Sequence, residues 1–389
     1  MKKLLVISPF RIFPPAFGGA DRTYHLVKGL AANYRVFLLH TNYAQVRSAP
    51  YQPENIPNVS LHGVGPARRW AQLFNPLLVL EGLRLIGRER PDLILAESLW
   101  AGLHTLIFHA LTGLPYVLDE FNLEYQRYQG MGRRWIGLIL GYERLICHLA
   151  RRIFYVYEGD RQALLALGVA PAKLVLVSNG ADLALFRPDP SRRGPVRAAL
   201  GLAPDDPLVL FFGKLNYQPN REAVAIIAER LLPPVLRTMP HAAFVVCGEA
   251  PPRDTYQHPR LFFPGLVPHI EDYINAADVV IVPLISGGGG TRLKIVQALA
   301  CERPVVSTSL GAEAFVDLPG AITIADDWDA FAECIVQHLA ESRAPVFDRA
   351  AFAARYDWQC IVEGAAAAIE AVMQNADKRP VHGGPMRRP

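Results

Sequence analysis

Thirteen short apolar runs, none alternating with polar residues, constrain this chain more than any other feature. Seven lie in the first half: "LLVISP", "VFLLHT", "VSLHGV", "LILAES", "YVLDEF", "IFYVY" and "LVLVSN". Six follow: "LVLFFG", "AFVVCG", "LFFPG", "VVIVPL", "PVVSTS" and "AITIAD". A strand with one wet face alternates apolar and polar residues. Runs without alternation belong to strands covered on both faces. Segments between them, such as 219–239 and 327–340, have helical spacing. Strand–helix alternation of this kind predicts an α/β chain of doubly wound parallel sheets. A Pro- and Arg-rich stretch, "RPDPSRRGP" at residues 187–195, interrupts the pattern before a new strand begins at Leu208. The expected organisation is two tandem Rossmann-like domains, residues 1–186 and 187–374. Their strand-end loops face a common cleft. Residues 348–374 read as a closing helix and 375–389 as a disordered tail.

With 389 residues, 51% hydrophobic and 20% charged, the chain can bury a sizeable core. Its net charge of +4 is unevenly spread. Residues 1–185 carry 20 Lys/Arg against 13 Asp/Glu, and the remainder 20 against 23. The first half is therefore the side suited to an anionic partner. The five cysteines, at 147, 247, 301, 334 and 360, are far apart and have no metal-ligand spacing, which fits a reducing compartment such as the cytoplasm. "MKKLLVISPF" begins like a signal peptide, but its apolar run ends at Ser8 and Pro9 and suits a first buried strand. "AGLHTLIFHALTGLPYVL" contains two His, two Gly and a Pro, and reads as helix, turn and strand rather than a membrane span.

The chemistry concentrates in "ISGGGGTRLKIVQALA", residues 285–300. Glycines let a backbone approach a ligand closely. A helix expected to begin near Thr291 turns its free N–H groups and positive end toward the cleft. Arg292 and Lys294 add two full charges. Bare backbone, helix N-terminus and paired cations together make an anion site suited to a diphosphate.

These residues bring out a resemblance. The chain resembles the GT-B glycosyltransferases of family four, which are retaining and use nucleotide sugars. The likeness runs over nearly the whole chain through five segments in the family's order: "PPAFGGADR", "LDEFNLEYQR", "VSNGADLALFRP", "FFGKLNYQPNREAV" and "GGGGTRLKIVQALACERPVVSTSLGAEAF". The resemblance implies a hexosyltransferase-like enzyme, cytoplasmic, of polysaccharide or related biosynthesis. It would move a sugar from a nucleotide-diphosphate sugar to a glycan, lipid-linked or small-molecule acceptor. It implies no cofactor and no metal, since protein cations and helix ends neutralise the leaving diphosphate, and no D-x-D is present. Lys214, Arg292 and Lys294 then stabilise the charge that grows as the sugar–phosphate bond breaks. Gly18 and Gly19 abut sugar and phosphates, and Asn122 keeps its family identity, as does Glu124, alternatively a cap of the following helix. Gly289, Gly290, Thr291 and Gln297 complete the donor set. Glu249 ends a strand, where it either faces the donor or is a solvated loop acid. Asn179, Gly180 and Asp182 shape the turn between domains.

The sequence departs from the family at three places. The family's two glutamates, eight positions apart, fall on Gly289 and Gln297, and its sugar-contacting His falls on Phe121. Gln297 retains one acceptor and two donors for ribose hydroxyls. Phe121 can neither hydrogen-bond nor carry a proton. These losses support the alternative of a non-catalytic sugar-nucleotide-binding relative with a regulatory or assembly role. A Rossmann oxidoreductase is disfavoured, because no close G-x-G-x-x-G follows the first strand and no acid ends the second.

Residues 127–152 carry six Arg and one Glu, with Trp135, Leu138, Ile139, Tyr142, Ile146 and Leu149 at helical spacing. Residues 68–90 are similarly flanked by Arg. Such a helix either packs on the core with a basic outer face or rests on an anionic membrane as a peripheral contact. Nucleic acid is not expected as a partner, since no recognisable module interleaves these cations with exposed aromatics.

Overall fold

The computed structural model describes residues 1–377 except 16–17, 44–52, 67, 69–71, 131–135, 250–254, 288–290, 316–317, 319 and 342. All thirteen apolar runs form strands. The first sheet holds β1 (Lys3–Ser8), β2 (Arg35–Thr41), β3 (Val59–Val64), β4 (Leu93–Glu97), β5 (Tyr116–Asp119), β6 (Arg152–Tyr155) and β7 (Leu174–Leu176). The second holds β8 (Leu208–Phe212), β9 (Ala243–Cys247), β10 (Leu261–Gly265), β11 (Val279–Val282), β12 (Val305–Ser307) and β13 (Ile322–Ile324). Their orders are β3-β2-β1-β4-β5-β6-β7 and β10-β9-β8-β11-β12-β13, and every pair is parallel. Each sheet reverses its winding at its own first strand. The crevices therefore open beyond the carboxyl ends of β1/β4 and of β8/β11.

Around the first sheet lie α1 (Gly18–Leu30), α2 (Pro76–Glu89), α3 (Ser98–Thr112), α4 (Glu124–Gly130), α5 (Ile136–Leu149) and α6 (Glu158–Ala166). Around the second lie α7 (Arg193–Ala199), α8 (Gln218–Ile226), α9 (Leu232–Thr238), α10 (Ile270–Ala276), α11 (Leu293–Ala300) and α12 (Trp328–Glu341), followed by α13 (Arg349–Tyr356) and α14 (Trp358–Asp377). Strands β4, β8, β9 and β11 are buried along their whole length, which explains their unbroken apolar character. The edge strands β3 and β7 are only half-buried.

Three features add to or differ from the expectation. First, the Pro/Arg-rich break is an ordered start of the second domain. Asp189 caps a single turn there, Arg192 pairs with Asp272, and Arg197 reaches Asp278 at 2.8 Å, fixing the segment to the second domain. Second, the described part of residues 127–152 belongs to α4, to α5, which ends at Leu149, and to the start of β6 at Arg152; residues 131–135, Trp135 among them, lie outside the described set. Third, the expected closing helix 348–374 is two helices, α13 and α14, separated at the extended residue Asp357, and α14 continues to Asp377, three residues into the expected tail; the rest of that tail, 378–389, lies outside the described residues.

Although α14 follows the second domain in sequence, its apolar face packs on the first. Trp358, Ile361, Val362, Ala365, Ile369, Val372 and Met373 join Leu26, Val27 and Leu30 of α1 in one buried cluster. A side chain at Gly29 would strike Val362, so the two helices touch through the glycine. Lys2 Nζ reaches Glu370 at 2.7 Å at the far end. The two chain crossings between domains are tied together. Ala181 N–H donates to Tyr356 carbonyl oxygen at 2.8 Å, and Trp358 N–H donates to Ala181 at 3.3 Å.

Candidate active site

The start of α1, after β1, and the start of α11 meet across the cleft. A side chain at Gly18, the first residue of α1, would lie 3.5 Å from Leu293, the first residue of α11. Two helix N-termini thus converge from the two domains, each following a strand at a winding reversal. Gly19 follows in the first turn of α1, where its carbonyl accepts from Thr23 Oγ1 at 2.9 Å. The helix expected near Thr291 begins two residues later, with Arg292 as its cap residue. Thr291 is buried, and its carbonyl accepts from Asn179 Nδ2 at 3.5 Å.

The three expected cations differ in setting. Lys294 extends over the ring of Phe211, with Nζ 4.0 Å from the ring centroid, and donates to Asn220 Oδ1 at 3.2 Å. Gly213 has no side chain to obstruct this approach; a Cβ there would lie 3.2 Å from Lys294 Nζ. Desolvation, and then the nearby Arg292 charge, pull the Lys294 amine down to a pKa of about 7. Arg292 is turned onto its own loop. Its guanidinium donates to the Gly287 carbonyl and lies 3.4 Å from Glu313 Oε1. Lys214 is half-buried in the loop after β8, and its carbonyl accepts from Asn220 Nδ2 at 2.9 Å. Asn220 therefore bridges the Lys214 backbone and the Lys294 amine. Sequence reasoning passed over it; the available signal was an amide in the first turn of the helix after "GKLN".

Gln297 is half-buried one turn beyond Lys294, whereas Ile295, Val296, Ala298 and Leu299 are buried in the core. The two polar residues thus share the face that does not pack inward. Glu249 is half-buried directly after Gly248. A side chain at Gly248 would collide with the Gly213 carbonyl, which brings the loops after β8 and β9 together. Gly289 and Gly290 lie outside the described residues; of the glycine run, Gly287 is described, packed on Pro219 and the Tyr217 hydroxyl. Among the described residues no group of His, Cys, Asp and Glu is arranged to hold a metal.

On the first domain, Phe121 is buried in the cluster that also contains Phe10, Phe13 and Tyr24, and the Arg22 guanidinium lies 5.9 Å from its ring centroid. Asn122 is half-buried beside it at the carboxyl end of β5. Glu124 is the first residue of α4 and is buried. The cap is Glu143 of α5, whose two oxygens accept from the N–H groups of Glu124 at 2.8 Å and Tyr125 at 3.0 Å. Arg22, fully buried, holds both oxygens of Asp119 at 2.6 and 2.7 Å and donates to Asn179 Oδ1 at 2.9 Å. Asn179 in turn reaches Thr291. Asp119, Arg22, Asn179 and Thr291 therefore form one polar line from the first sheet to the start of α11. Several acids lie near it, of which Glu97, Glu120, Glu143 and Asp160 are buried and Asp21 is half-buried. Desolvation and neighbouring charges push Glu97 and Glu120 well above the carboxylate range; desolvation is the main cause raising Asp21 and Glu143 to about 7 and Asp160 to about 8.

This two-sided arrangement has counterparts among known proteins. The model of the glycosyl transferase 4-like domain matches residues 17–180, and that of glycosyl transferases group 1 matches residues 206–341. The chain belongs to the GT-B glycosyltransferases of family four. It is 31% identical over 196 residues to a D-inositol 3-phosphate glycosyltransferase of Kineococcus radiotolerans, covering 45% of this chain and 43% of that protein. It is 29% identical over 236 residues to that of Segniliparus rotundus, covering 54% and 50%. The chain thus spans about half the length of the curated relatives it matches. The fold is shared with sucrose-phosphate synthase from Thermosynechococcus elongatus, with TM-score 0.70, 18% identity, and coverage of 96% of this chain and 100% of that one. It is shared equally with HepE of Anabaena in complex with UDP and glucose, with TM-score 0.70, 17% identity, and coverage of 95% and 100%. In this GT-B chain the glycosyl transferase 4-like domain carries Gly18 and Asn122, and the group 1 domain carries Lys214, Lys294 and Gln297.

Proposed function

We propose that the protein transfers a sugar, with retention and without a metal, from a nucleotide-diphosphate sugar to an acceptor held on the first domain. The observation that carries this reading is the meeting of two helix N-termini, at Gly18 and Leu293, beside the Lys294–Asn220 pair. The diphosphate rests at the start of α11, where N–H dipoles and Lys294 face it. Lys214 approaches from the loop after β8. As the sugar–phosphate bond breaks, negative charge moves onto the leaving diphosphate, and these groups stabilise it most in that state. Arg292 orders the loop by holding the Gly287 carbonyl and Glu313, with its charge still near the phosphates. Gln297 faces the ribose hydroxyls, one turn along the helix from the phosphate-binding amine. The neighbour crystallised with UDP and glucose makes uridine nucleotides the first donors to try. The glycosyltransferase names of the curated relatives favour an enzyme over a non-catalytic binding protein.

The test is a panel of nucleotide sugars offered with candidate acceptors, with and without a chelator, and with the anomeric configuration of the product read by NMR. A product with the donor's configuration, formed equally in chelator, is expected. Inversion, or activity that vanishes in chelator and returns with magnesium or manganese, overturns the scheme.

A further inference from the structure

The outer helical layer of the first domain carries apolar side chains that its core does not use. On α5, Ile146 and Cys147 are buried, yet Leu138, Leu145 and Leu149 are 67%, 51% and 44% exposed. Their spacing of seven and four residues places all three on one side of the helix. Gly137 and Gly141 stand near them with open space where a side chain would be, so the leucines project clear of their surroundings. On α2, Leu77 and Leu80 are exposed, as are Leu73 and Phe74 just ahead of it. Helix α3 joins the two. A side chain at Gly82 of α2 would strike Phe108 of α3, and one at Gly102 of α3 would strike Ile146 of α5.

The charge on this layer is as distinctive as its apolar residues. Arg144, His148 and Arg151 are exposed along and beyond α5, while Glu143, the only acid between 136 and 152, is buried as the cap of α4. The outward face of α5 therefore presents leucines and cations with no exposed acid. On α2, Arg84 and Arg88 are exposed, each held by a neighbouring glutamate. In a parallel sheet the helix that follows a strand starts at the strands' carboxyl edge. The starts of α2 and α5, with Leu73, Phe74, Leu77 and Leu138, thus lie toward the cleft end of the domain.

We propose that this layer docks on an anionic lipid bilayer, with α5 lying in the headgroup region. Leu138, Leu145 and Leu149 enter the acyl boundary, and the arginines extend to lipid phosphates. Exposed leucines on α5, beside Arg144 and Arg151 and with no exposed acid on that helix, complement a fluid anionic surface. Among the described residues no helix is long and apolar enough to cross a membrane, so the contact is peripheral. This docking is independent of the donor reading, because none of these residues lies in the donor site.

The experiment is flotation of the full chain with vesicles of phosphatidylcholine, alone or containing roughly one-third phosphatidylglycerol. Binding is expected only to the anionic vesicles, and should fall steeply as salt rises from about 50 to about 300 mM. Replacing Leu138, Leu145 and Leu149 together by Gln should cut partitioning roughly tenfold or more. Arg144→Glu should cut it by about an order of magnitude. Nucleotide binding and far-UV circular dichroism of these variants should match the unsubstituted chain, since the altered side chains already face solvent. Failure to float with anionic vesicles at low salt overturns the proposal. So does flotation insensitive to the leucine substitutions, or a solution dimer that those substitutions dissociate, which would assign the face to a second copy.

Discussion

Diphosphate binding by this protein should take up a proton, and Lys294 is the group that receives it. Its amine lies against the Phe211 ring and Asn220, and desolvation with the Arg292 charge lowers its pKa from 10.5 to about 7. Holding the ammonium in this setting costs the native state on the order of 4 kcal/mol at neutral pH. A diphosphate beside the amine restores a partner for the charge and raises the pKa again. At about pH 8 the free site is roughly nine-tenths neutral, so binding should take up about 0.9 proton; near pH 6 the uptake falls to about 0.1. Affinity should then decline by up to about tenfold per pH unit above neutrality. The diphosphate of a nucleotide sugar does not itself titrate near neutrality, so the uptake reports the protein. Calorimetry of donor binding in two buffers of different ionisation enthalpy measures it directly. Lys294→Met should bind more weakly without uptake, and Lys294→Arg should keep the charge but not titrate. No uptake at about pH 8, or the same uptake in Lys294→Met, would refute the assignment of Lys294 to phosphate.

Gln297→Glu should tighten nucleotide-sugar binding, because charge-assisted hydrogen bonds are about twice as strong as neutral ones, and Gln297→Ala should loosen it; a bound structure with the ribose hydroxyls far from Gln297 would remove the assignment. Arg22→Met leaves the buried Asp119 carboxylate without its cation and should lower stability by about 3–5 kcal/mol in urea denaturation, a loss under about 1 kcal/mol being incompatible with the buried pair described. Asp21, Glu143 and Asp160 have folded pKa values raised to between about 7 and about 8. The native state thus holds these protons more tightly, and their contribution is fully present below about pH 4, declines as pH rises, and is gone once pH passes the folded values of about 7 to about 8. Lys294 works in the opposite sense, since its depressed pKa makes stability rise with pH. With Glu97 and Glu120 also raised, the carboxyls outweigh the one amine, so the melting temperature should fall between about pH 6 and about pH 8, and fall further in Lys294→Met, whereas a rise would contradict the desolvation of these acids.

The strands were legible in the sequence because burial on both faces leaves an unbroken apolar run, as in "LVLFF" and "AFVVC". The strand-to-helix unit that carries Arg292 and Lys294 was legible too, since an apolar run, a glycine run and an apolar-periodic segment follow one another there. What the sequence hid were pairings across distance. An amphipathic pattern over α14 shows that one face is buried, not that it is buried on the other domain. The face of α5 read as a single set divides in the structure, with Ile146 turned inward and Leu138 and Leu149 outward. Glu143 caps a helix nineteen positions earlier, and Arg22 reaches Asn179 across 157 positions. Nothing local marks either as a partner. Asn220 was overlooked for the same reason, because its role is fixed only by a lysine 74 residues away.

The placement of α14 has a consequence for how the chain is made. When residues 1–180 have left the ribosome, the first sheet is complete in sequence, but Leu26, Val27, Leu30 and their neighbours still lack their cover. That cover is residues 358–377, roughly 180 codons downstream. At about 5–20 residues per second the gap lasts on the order of 10–40 s. Through that interval an apolar helix face and the sheet beneath it wait in solution for a partner encoded at the other end of the message. Synthesis of this protein should therefore depend on chaperone occupancy of the nascent first domain, and slowing translation of the second half should divert more chains into aggregates.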